Sequence, residues 1–495
     1  MRIAIINWSN RRIGGTGSYL SAVVPQLQRA GHDIALWHEV NTPVDYDPIP
    51  MPPGSPAWSM ADLGLEPALA ALSSWQPDLL YAHGLLDPAV ERRTLTIAPS
   101  VFFAHNYYGT CISGAKTVRR PVVRPCGRTF GWQCLAHYYP SRCGGWSPVT
   151  MVRQYRQQRD RLQLLSKYSA IVTHSAHMQD EYIKHGLSTA RVFNVKYGAD
   201  EASPRTDEAV TPVAHDGPWE LIFAGRMDDL KGGRELILAL PEVVKRLGRD
   251  VRLTFAGDGP LRGEWERLAH VACQRESRVQ VRFTGWLPRN TIDTLFSQSD
   301  LLVLPSLWPE PLALVGLEAA RHRLPVAAFA VGGISDWLTS GHNGVLAPGD
   351  PPTVDGLVLA IVACLKDAAT HARLRDGAAE LSADFAFEKH IELLLRAFDD
   401  ATRSSSLAHA NCHADSGCAT GPSRANRRDE PPDGIHPRSH RSRWPRDRLP
   451  VHRRRAHDLG ELVRTPGRVS DGRSLESDRG GSSRPPLRHR ERSRA

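Results

Sequence analysis

Two separate stretches of this chain switch back and forth between short apolar runs of strand type and longer amphipathic runs of helix type. That alternation leaves little room for anything but parallel sheets covered by crossover helices. The first series opens with an apolar run at 2–8, a glycine-rich turn at Gly14, Gly15, Thr16 and Gly17, and a helical stretch at 18–30 closed by Gly31. Strand-type runs at 34–38, 79–82, 101–104, 170–173 and 192–195 follow, among helical stretches such as 155–169 and 176–185. A polar, Pro-containing stretch without period runs on from Asp200 to Pro218, as an interdomain linker would. The second series places strands at 220–224, 252–256, 281–284, 300–305 and 325–329, with helices at 233–247, 261–274, 291–298 and 312–321. The expectation is an α/β protein of two doubly wound, Rossmann-like domains, residues 1–205 and 206–385, with a last helix at 386–402.

The 495 residues, 41% of them hydrophobic, suffice for two such domains and exclude a small disulfide-stapled module. No run of about 18 apolar residues occurs, and the apolar part of the N-terminus is short for a signal peptide, so a cytoplasmic protein is expected. The formal charge of +9 points toward anionic partners until it is located. Residues 401–495 hold 21 Arg, no Lys and 11 acids, whereas residues 1–400 hold 41 basic and 42 acidic side chains. Nucleic acid is therefore not an expected partner of the body, and peripheral contact with the inner membrane face stays open. The segment 403–495, poor in apolar residues and rich in Arg, Pro and Ser, is expected to be disordered. It reads either as an Arg-rich arm for nucleic acid or acidic lipid, or as out-of-frame translation of a GC-rich gene beginning near 400–410.

Chemistry concentrates in the second series. Its first strand ends in Gly225, Arg226, Met227, Asp228, Asp229, Leu230, Lys231, Gly232 and Gly233. Two cations five residues apart, at a strand end and before a helix, suit a diphosphate: Arg forks across phosphate oxygens and Lys adds a mobile point charge. The plainer reading is two solvated cations in a loop. Further on, Pro305 and Ser306 end a strand, Pro311 fits the first turn of a helix, and Glu318 lies about two turns beyond, roughly 9 Å along it. Glu310 and Glu318 are thus spaced to accept from the hydroxyls of a sugar and of a ribose joined through a diphosphate. Taken singly, each acid could equally be a surface or capping Glu.

Together with Ala256, Gly257, Asp258, Gly259 and Pro260, Phe283, Thr284 and Gly285, Pro325 and Val326, Gly332 and Gly333, and Gly344, Val345 and Leu346, this set resembles the donor domain of retaining family-4 glycosyltransferases of the GT-B fold (glycosyl transferases group 1). The resemblance covers roughly residues 1–400, most sharply the second half. It implies metal-independent transfer of a hexose-type sugar from a nucleotide-diphosphate donor to an unidentified acceptor (glycan, lipid or small molecule), in a cleft between the domains, with the last helix crossing back to the first. It further implies that Arg226 and Lys231 hold the diphosphate, Glu310 the sugar, Glu318 the ribose, and that Leu314, Val315 and Gly15 border the donor. Ala313 and Arg323 stand where that family has Gly, and Asp336 where it often has Glu. A nucleotide-sugar epimerase of the same fold and a nucleic-acid-binding protein acting through its tail are the alternatives.

In the first series, His105 just after a strand matches a family His near the transferred sugar, and His83 ends an earlier strand on the same side. Either could equally be structural. Cys111, Cys126, Cys134 and Cys143 fall in one Gly- and Arg-rich insertion, 107–148, beside His105 and so on the acceptor side. They could hold a structural zinc ion or iron–sulfur cluster, pair as two disulfides, or remain unrelated thiols.

Overall fold

A computed structural model describes residues 1–42, 46–197 and 217–415. They fall in a unit spanning Met1–Ala419; the remaining unit, Thr420–Ala495, together with most of the expected linker, lies outside the described residues. The readings of a disordered or frameshifted tail concern that undescribed part.

The strands in chain order are β1 (Arg2–Ser9), β2 (Asp33–Val40), β3 (Ala57–Ser59), β4 (Leu79–Ala82), β5 (Ser100–Phe103), β6 (Thr117–Val118), β7 (Arg124–Pro125), β8 (Ala170–Thr173) and β9 (Val192–Asn194). After the linker come β10 (Trp219–Ala224), β11 (Val251–Ala256), β12 (Val279–Gly285), β13 (Leu301–Leu304), β14 (Val326–Phe329) and β15 (Gly344–Ala347). They build a seven-stranded sheet in the order β3-β2-β1-β4-β5-β8-β9 and a six-stranded sheet in the order β12-β11-β10-β13-β14-β15. Every pairing in both is parallel. β6 and β7 pair antiparallel, as a small ribbon inside the 107–148 insertion.

Parallel strands covered on both faces are apolar throughout, and β4, β5, β8, β13 and β14 are buried at every position. In each sheet the first strand lies inside the sheet, and the chain order reverses beside it: between β1 and β4, and between β10 and β13. Loops leaving the carboxyl ends of strands at such a reversal diverge and open a crevice, the usual ligand site of open α/β sheets.

The last helix extends further than the sequence suggests. It runs Phe387–Asp415, and so takes in the start of the stretch expected to be unstructured. Its contacts are with β5, β8 and the helix Gly14–Arg29 of the first sheet. Buried Leu394, Ala397, Phe398 and Ala401, spaced three and four apart, give it one apolar face, and Phe398 meets the Tyr81 ring edge-on at 4.9 Å. The glycine turn after β1 also differs from expectation: Gly14 through Gly17 form the first turn of the helix Gly14–Arg29. Gly17 is required there, since a Cβ would stand 2.6 Å from the Arg12 Cα.

Candidate active site

The two reversal points carry the site. Beyond β10, Gly225 and Arg226 lead into a short 3-10 turn, Asp229–Lys231, capped by Asp228, whose Oδ1 accepts from the Leu230 N–H at 3.1 Å. Beyond β13 the chain turns at Pro305 and Ser306 toward Glu310. Because β10 and β13 are neighbours, the loops converge: Lys231 Nζ donates to Glu310 Oε1 at 2.7 Å, and Ser306 Oγ donates to the same oxygen at 2.6 Å. The Lys231 ammonium also lies 5.5 Å from the centre of the Trp308 ring.

Glycine makes this convergence possible. Gly232 has φ +70°, and a Cβ there would fall 1.7 Å from the Pro305 carbonyl oxygen, so no other residue lets the Lys231 turn lie against the Pro305 loop. On the far side, a Cβ on Gly332 would fall 2.2 Å from the Glu310 carbonyl oxygen, and the Gly333 N–H donates to that oxygen at 2.7 Å.

Glu318 has different surroundings from buried Glu310. It accepts from Arg289 Nη1 at 2.6 Å, and Arg289 Nε lies 3.3 Å from Asp293. The expected helix start is corrected: the helix is Leu314–Ala320, and Pro311 precedes it. The Pro311 carbonyl accepts from Ser175 Oγ at 2.6 Å and the Leu312 carbonyl from Trp337 Nε1 at 2.7 Å, so these peptide groups are engaged outside the helical ladder. Ala313 then takes φ +64°, and Arg323, after the helix, takes φ +56°. Both keep the left-handed backbone that glycine would adopt freely, at a cost of about 1–2 kcal/mol each.

The wall from the first domain is neutral and aromatic. His105, after β5, and His83, after β4, share a hydrogen bond of 2.8 Å between His105 Nε2 and His83 Nδ1. Burial lowers the pKa of His83 to about 3; burial, then the neighbouring His83 and His174, holds His105 well below the ordinary histidine range. Both rings are therefore uncharged near neutral pH. His174 Nδ1 and His83 Nε2 are buried without a hydrogen-bond partner among the described residues.

Tyr19 is fixed from below. His390 of the last helix lies with Nδ1 3.1 Å from the Lys196 carbonyl, which places the proton on Nδ1 and leaves Nε2 to accept from the Tyr19 hydroxyl at 2.9 Å. Tyr81 completes the chain by donating to Tyr19 at 2.5 Å.

Between the walls lies a cavity of about 450 Å³. Gly15, Tyr19, His105 and His174 line one side; Lys231, Glu310, Leu314 and Val315 line the other. Of the donor residues expected from sequence, Arg226 and Glu318 lie outside this lining, Arg226 half-exposed with its Nε 3.9 Å from Asp228.

Three further residues join the walls: Tyr107 and Ser175, which the sequence did not mark as site residues, and Asp336, which it marked only as a departure from the family's pattern. Tyr107 Oη donates to the Pro309 carbonyl at 2.7 Å and accepts from His177 Nε2 at 2.8 Å. Ser175 caps the helix Ala176–Lys184, accepting from the Met178 N–H at 3.2 Å, while donating across the cleft to Pro311. Asp336 accepts from the His177 N–H at 3.2 Å, which gives a structural part to the residue that stands where a Glu is often found. Ser175 was legible in outline as a Ser before a helical run.

Among the described residues no three His, Cys, Asp or Glu side chains are grouped to hold a metal ion, and Cys111, Cys126, Cys134 and Cys143 are unpaired thiols. Their sulfurs are engaged locally: Cys111 accepts from the Lys116 N–H at 3.3 Å, and Cys143 and Cys134 point to the carbonyls of His137 and Thr129 at 3.9 and 4.0 Å. Burial, reinforced by the other three cysteines, pushes the Cys143 thiol up to about 11, and burial likewise raises Cys134.

Comparison with known proteins agrees with this architecture. Residues 205–381 match the family described as glycosyl transferases group 1. The chain is 27% identical over 413 residues to a glycogen synthase of Mycobacterium tuberculosis, covering 78% of this chain and 91% of that protein. It is 32% identical over 163 residues to an alpha-D-kanosaminyltransferase of Streptomyces kanamyceticus, covering 33% and 40% of the two. In fold it resembles HepE of Anabaena, with a TM-score of 0.55, 19% identity, and coverage of 81% of this chain and 99% of that one. A sucrose-phosphate synthase of Thermosynechococcus elongatus gives a TM-score of 0.56 at 18% identity, over 84% of this chain and 100% of the other. The chain is a glycosyltransferase of the GT-B fold, and its residues 205–381 carry the match to the glycosyl transferases group 1.

Proposed function

We propose that the enzyme takes a hexose-type sugar from a nucleotide-diphosphate donor and transfers it, with retention of configuration, to an acceptor hydroxyl offered from the side of the first domain. The observation that carries this reading is the Lys231, Glu310 and Ser306 constellation on one wall of the cleft, opposite a neutral wall of Gly15, Tyr19 and His105. Structures of HepE of Anabaena, which shares the fold, are described in complex with UDP, with UDP and glucose, and with UDP-glucose, in keeping with a donor of this class.

In the reaction the bond from the sugar's anomeric carbon to the phosphate oxygen breaks and the acceptor oxygen bonds to that carbon. The acceptor's proton leaves to the departing diphosphate or to water. Negative charge grows on the leaving diphosphate, so a preformed cation there contributes the largest share of catalysis. Lys231 is that cation, and half-exposed Arg226 reaches the diphosphate as the donor enters. Lys231 exchanges its bond to Glu310 for one to phosphate, which frees Glu310 Oε1 to accept from the hydroxyls of the sugar. In this reading Glu310 acts as a hydrogen-bond acceptor and not as a covalent nucleophile. His105, held uncharged, serves the sugar as a hydrogen-bonding group. Glu318 shares itself between Arg289 and the ribose. Side chains supply all the positive charge this scheme needs.

The test is release of nucleoside diphosphate from a panel of sugar nucleotides, with and without candidate acceptors. Turnover of one donor by the wild type, cut at least a hundredfold in Lys231→Ala and strongly reduced in Glu310→Gln, supports the reading. Turnover of none, or full activity in both variants, overturns it.

A further inference from the structure

We propose that the 107–148 insertion and the outer face of the helix Pro148–Leu165 form a docking surface for an anionic lipid bilayer, which seats the mouth of the cleft at the membrane. The inference is independent of the donor assignment.

Exposure comes first. Most of the exposed large apolar side chains of the first domain gather here: Trp132 is 70% exposed, Trp146 66%, Val149 79% and Val122 51%. Single exposed apolar residues need no explanation, but two tryptophans and two valines within 28 residues do. Charge points the same way. Residues 107–165 contain nine Arg, one Lys and one acid, Asp160, whereas the first 400 residues as a whole are nearly balanced; Lys116 is buried against Glu181 and adds nothing to the surface, so the arginines carry its charge. Among the described residues, no ion pair is recorded for Arg120, Arg153 or Arg156.

The helix adds a matching face. Its exposed positions Val149, Val152, Arg153, Arg156 and Arg159 recur every three or four residues and form one stripe, valines at the end next to Trp146 and arginines beyond, while Gln158, Leu164 and Leu165 are buried. The insertion is fastened to the opposite side of that helix by Tyr138, whose hydroxyl donates to Gln154 at 3.0 Å, and by Phe130, 5.2 Å from the Tyr155 ring. Trp146 is itself held by stacking on Tyr139 at 6.3 Å, with the Arg142 guanidinium 5.6 Å from its ring. The surface adjoins the cleft, because the insertion starts at Tyr107 and Arg119 pairs with Asp229 in the loop of Arg226 and Lys231.

Aromatic rings that are apolar in body and polar at one edge, with arginines around them, suit the headgroup boundary of a bilayer with anionic lipids. The exposed valines decide against nucleic acid, since they offer nothing to a base or a phosphate but can enter the acyl boundary. Among the described residues no helix is long and apolar enough to cross a membrane, so this contact would be peripheral.

The test is flotation of the full chain with phosphatidylcholine vesicles, with and without phosphatidylglycerol, and with RNA as a competing polyanion. Binding should require phosphatidylglycerol and weaken with salt. It should fall about tenfold or more in Trp132→Ala/Trp146→Ala and in Arg153→Glu/Arg156→Glu. It should hold in Arg267→Glu/Arg275→Glu, on an exposed helix of the second domain, with unchanged melting temperatures certifying the fold of each. Residues 416–495 are present in every variant, so binding that survives both insertion pairs arises elsewhere and overturns the proposal. Binding to RNA with none to vesicles overturns it too.

Discussion

The two walls of the cleft are built on opposite principles. The second-domain wall is charged and local: Lys231, Ser306 and Glu310 come from two loops at adjacent strand ends, and their ion pair is present before any ligand arrives. The first-domain wall is uncharged and assembled from far apart, with Tyr19, Tyr81 and His390 in one hydrogen-bonded chain that spans 371 residues of sequence. A diphosphate needs fixed positive charge close by, whereas sugar and acceptor hydroxyls need neutral groups that donate or accept without demanding a counter-ion. The division of labour follows from the chemistry of what each wall would hold.

The sharpest way to break this contrast is to discharge the charged wall. Lys231→Ala should lower kcat about 10²–10³-fold. It also leaves the buried Glu310 carboxylate with Ser306 alone, which should cost on the order of 1–3 kcal/mol of stability. Adding Glu310→Gln should recover part of that loss in chemical denaturation without restoring activity; full additivity of the two losses would show that the pair is not coupled. Smaller, and confined to binding, is the expected effect of Glu318→Gln: a rise in donor KM of about tenfold with kcat little changed, as for an interaction made equally in ground and transition states.

The neutral wall predicts a pH dependence. Burial lowers His83 and His390 to about 3, and His174 to about 4. These values lie below the ordinary histidine value near 6.5, so on acidification the unfolded chain takes up protons before the folded one does. Their contribution is intact above about pH 6.5 and is lost progressively as pH falls toward 4, by about 1.4 kcal/mol per pH unit for each histidine. His390→Gln, which can still donate to Lys196 and accept from Tyr19, should remove one proton's worth of that slope in denaturation curves taken between pH 7 and 5. An unchanged slope would mean that His390 is not held neutral. Smallest of all, Arg119→Ala should cost under about 1 kcal/mol, its pair with Asp229 being partly exposed, and should shift donor KM by less than about threefold.

The same contrast governs what could be read from the sequence. Arg226, Lys231, Glu310 and Glu318 lie within two short segments, and strand ends in an alternating α/β pattern place such segments at a crevice, so spacing and residue type sufficed to bring Lys231 and Glu310 together. Strand positions came close for the same reason, since runs such as 79–82 and 170–173 are apolar on both faces and bounded by turns. The Arg289 partner of Glu318, 29 residues away on another helix, leaves no local signal. Nor do Tyr107, His177 and Asp336, whose meeting depends on how the sheets face one another. The helix start at Leu314 was missed because Pro311 is a good first-turn residue locally, and the Ser175 and Trp337 bonds that engage the peptides beside it come from elsewhere in the fold. For the four cysteines, proximity in sequence suggested a metal, while the backbone groups that Cys111, Cys134 and Cys143 meet in the fold leave no signal in spacing.

The central claim is that the charged wall receives a nucleoside diphosphate through Lys231. Thermal unfolding of the full chain against a panel of nucleoside diphosphates at saturating concentration tests it most directly. The account predicts that at least one raises Tm by several degrees in the wild type, as ligand binding at about a hundred times Kd should, and that Lys231→Ala loses most of the shift. A panel without any shift, or an equal shift in Lys231→Ala, would contradict it.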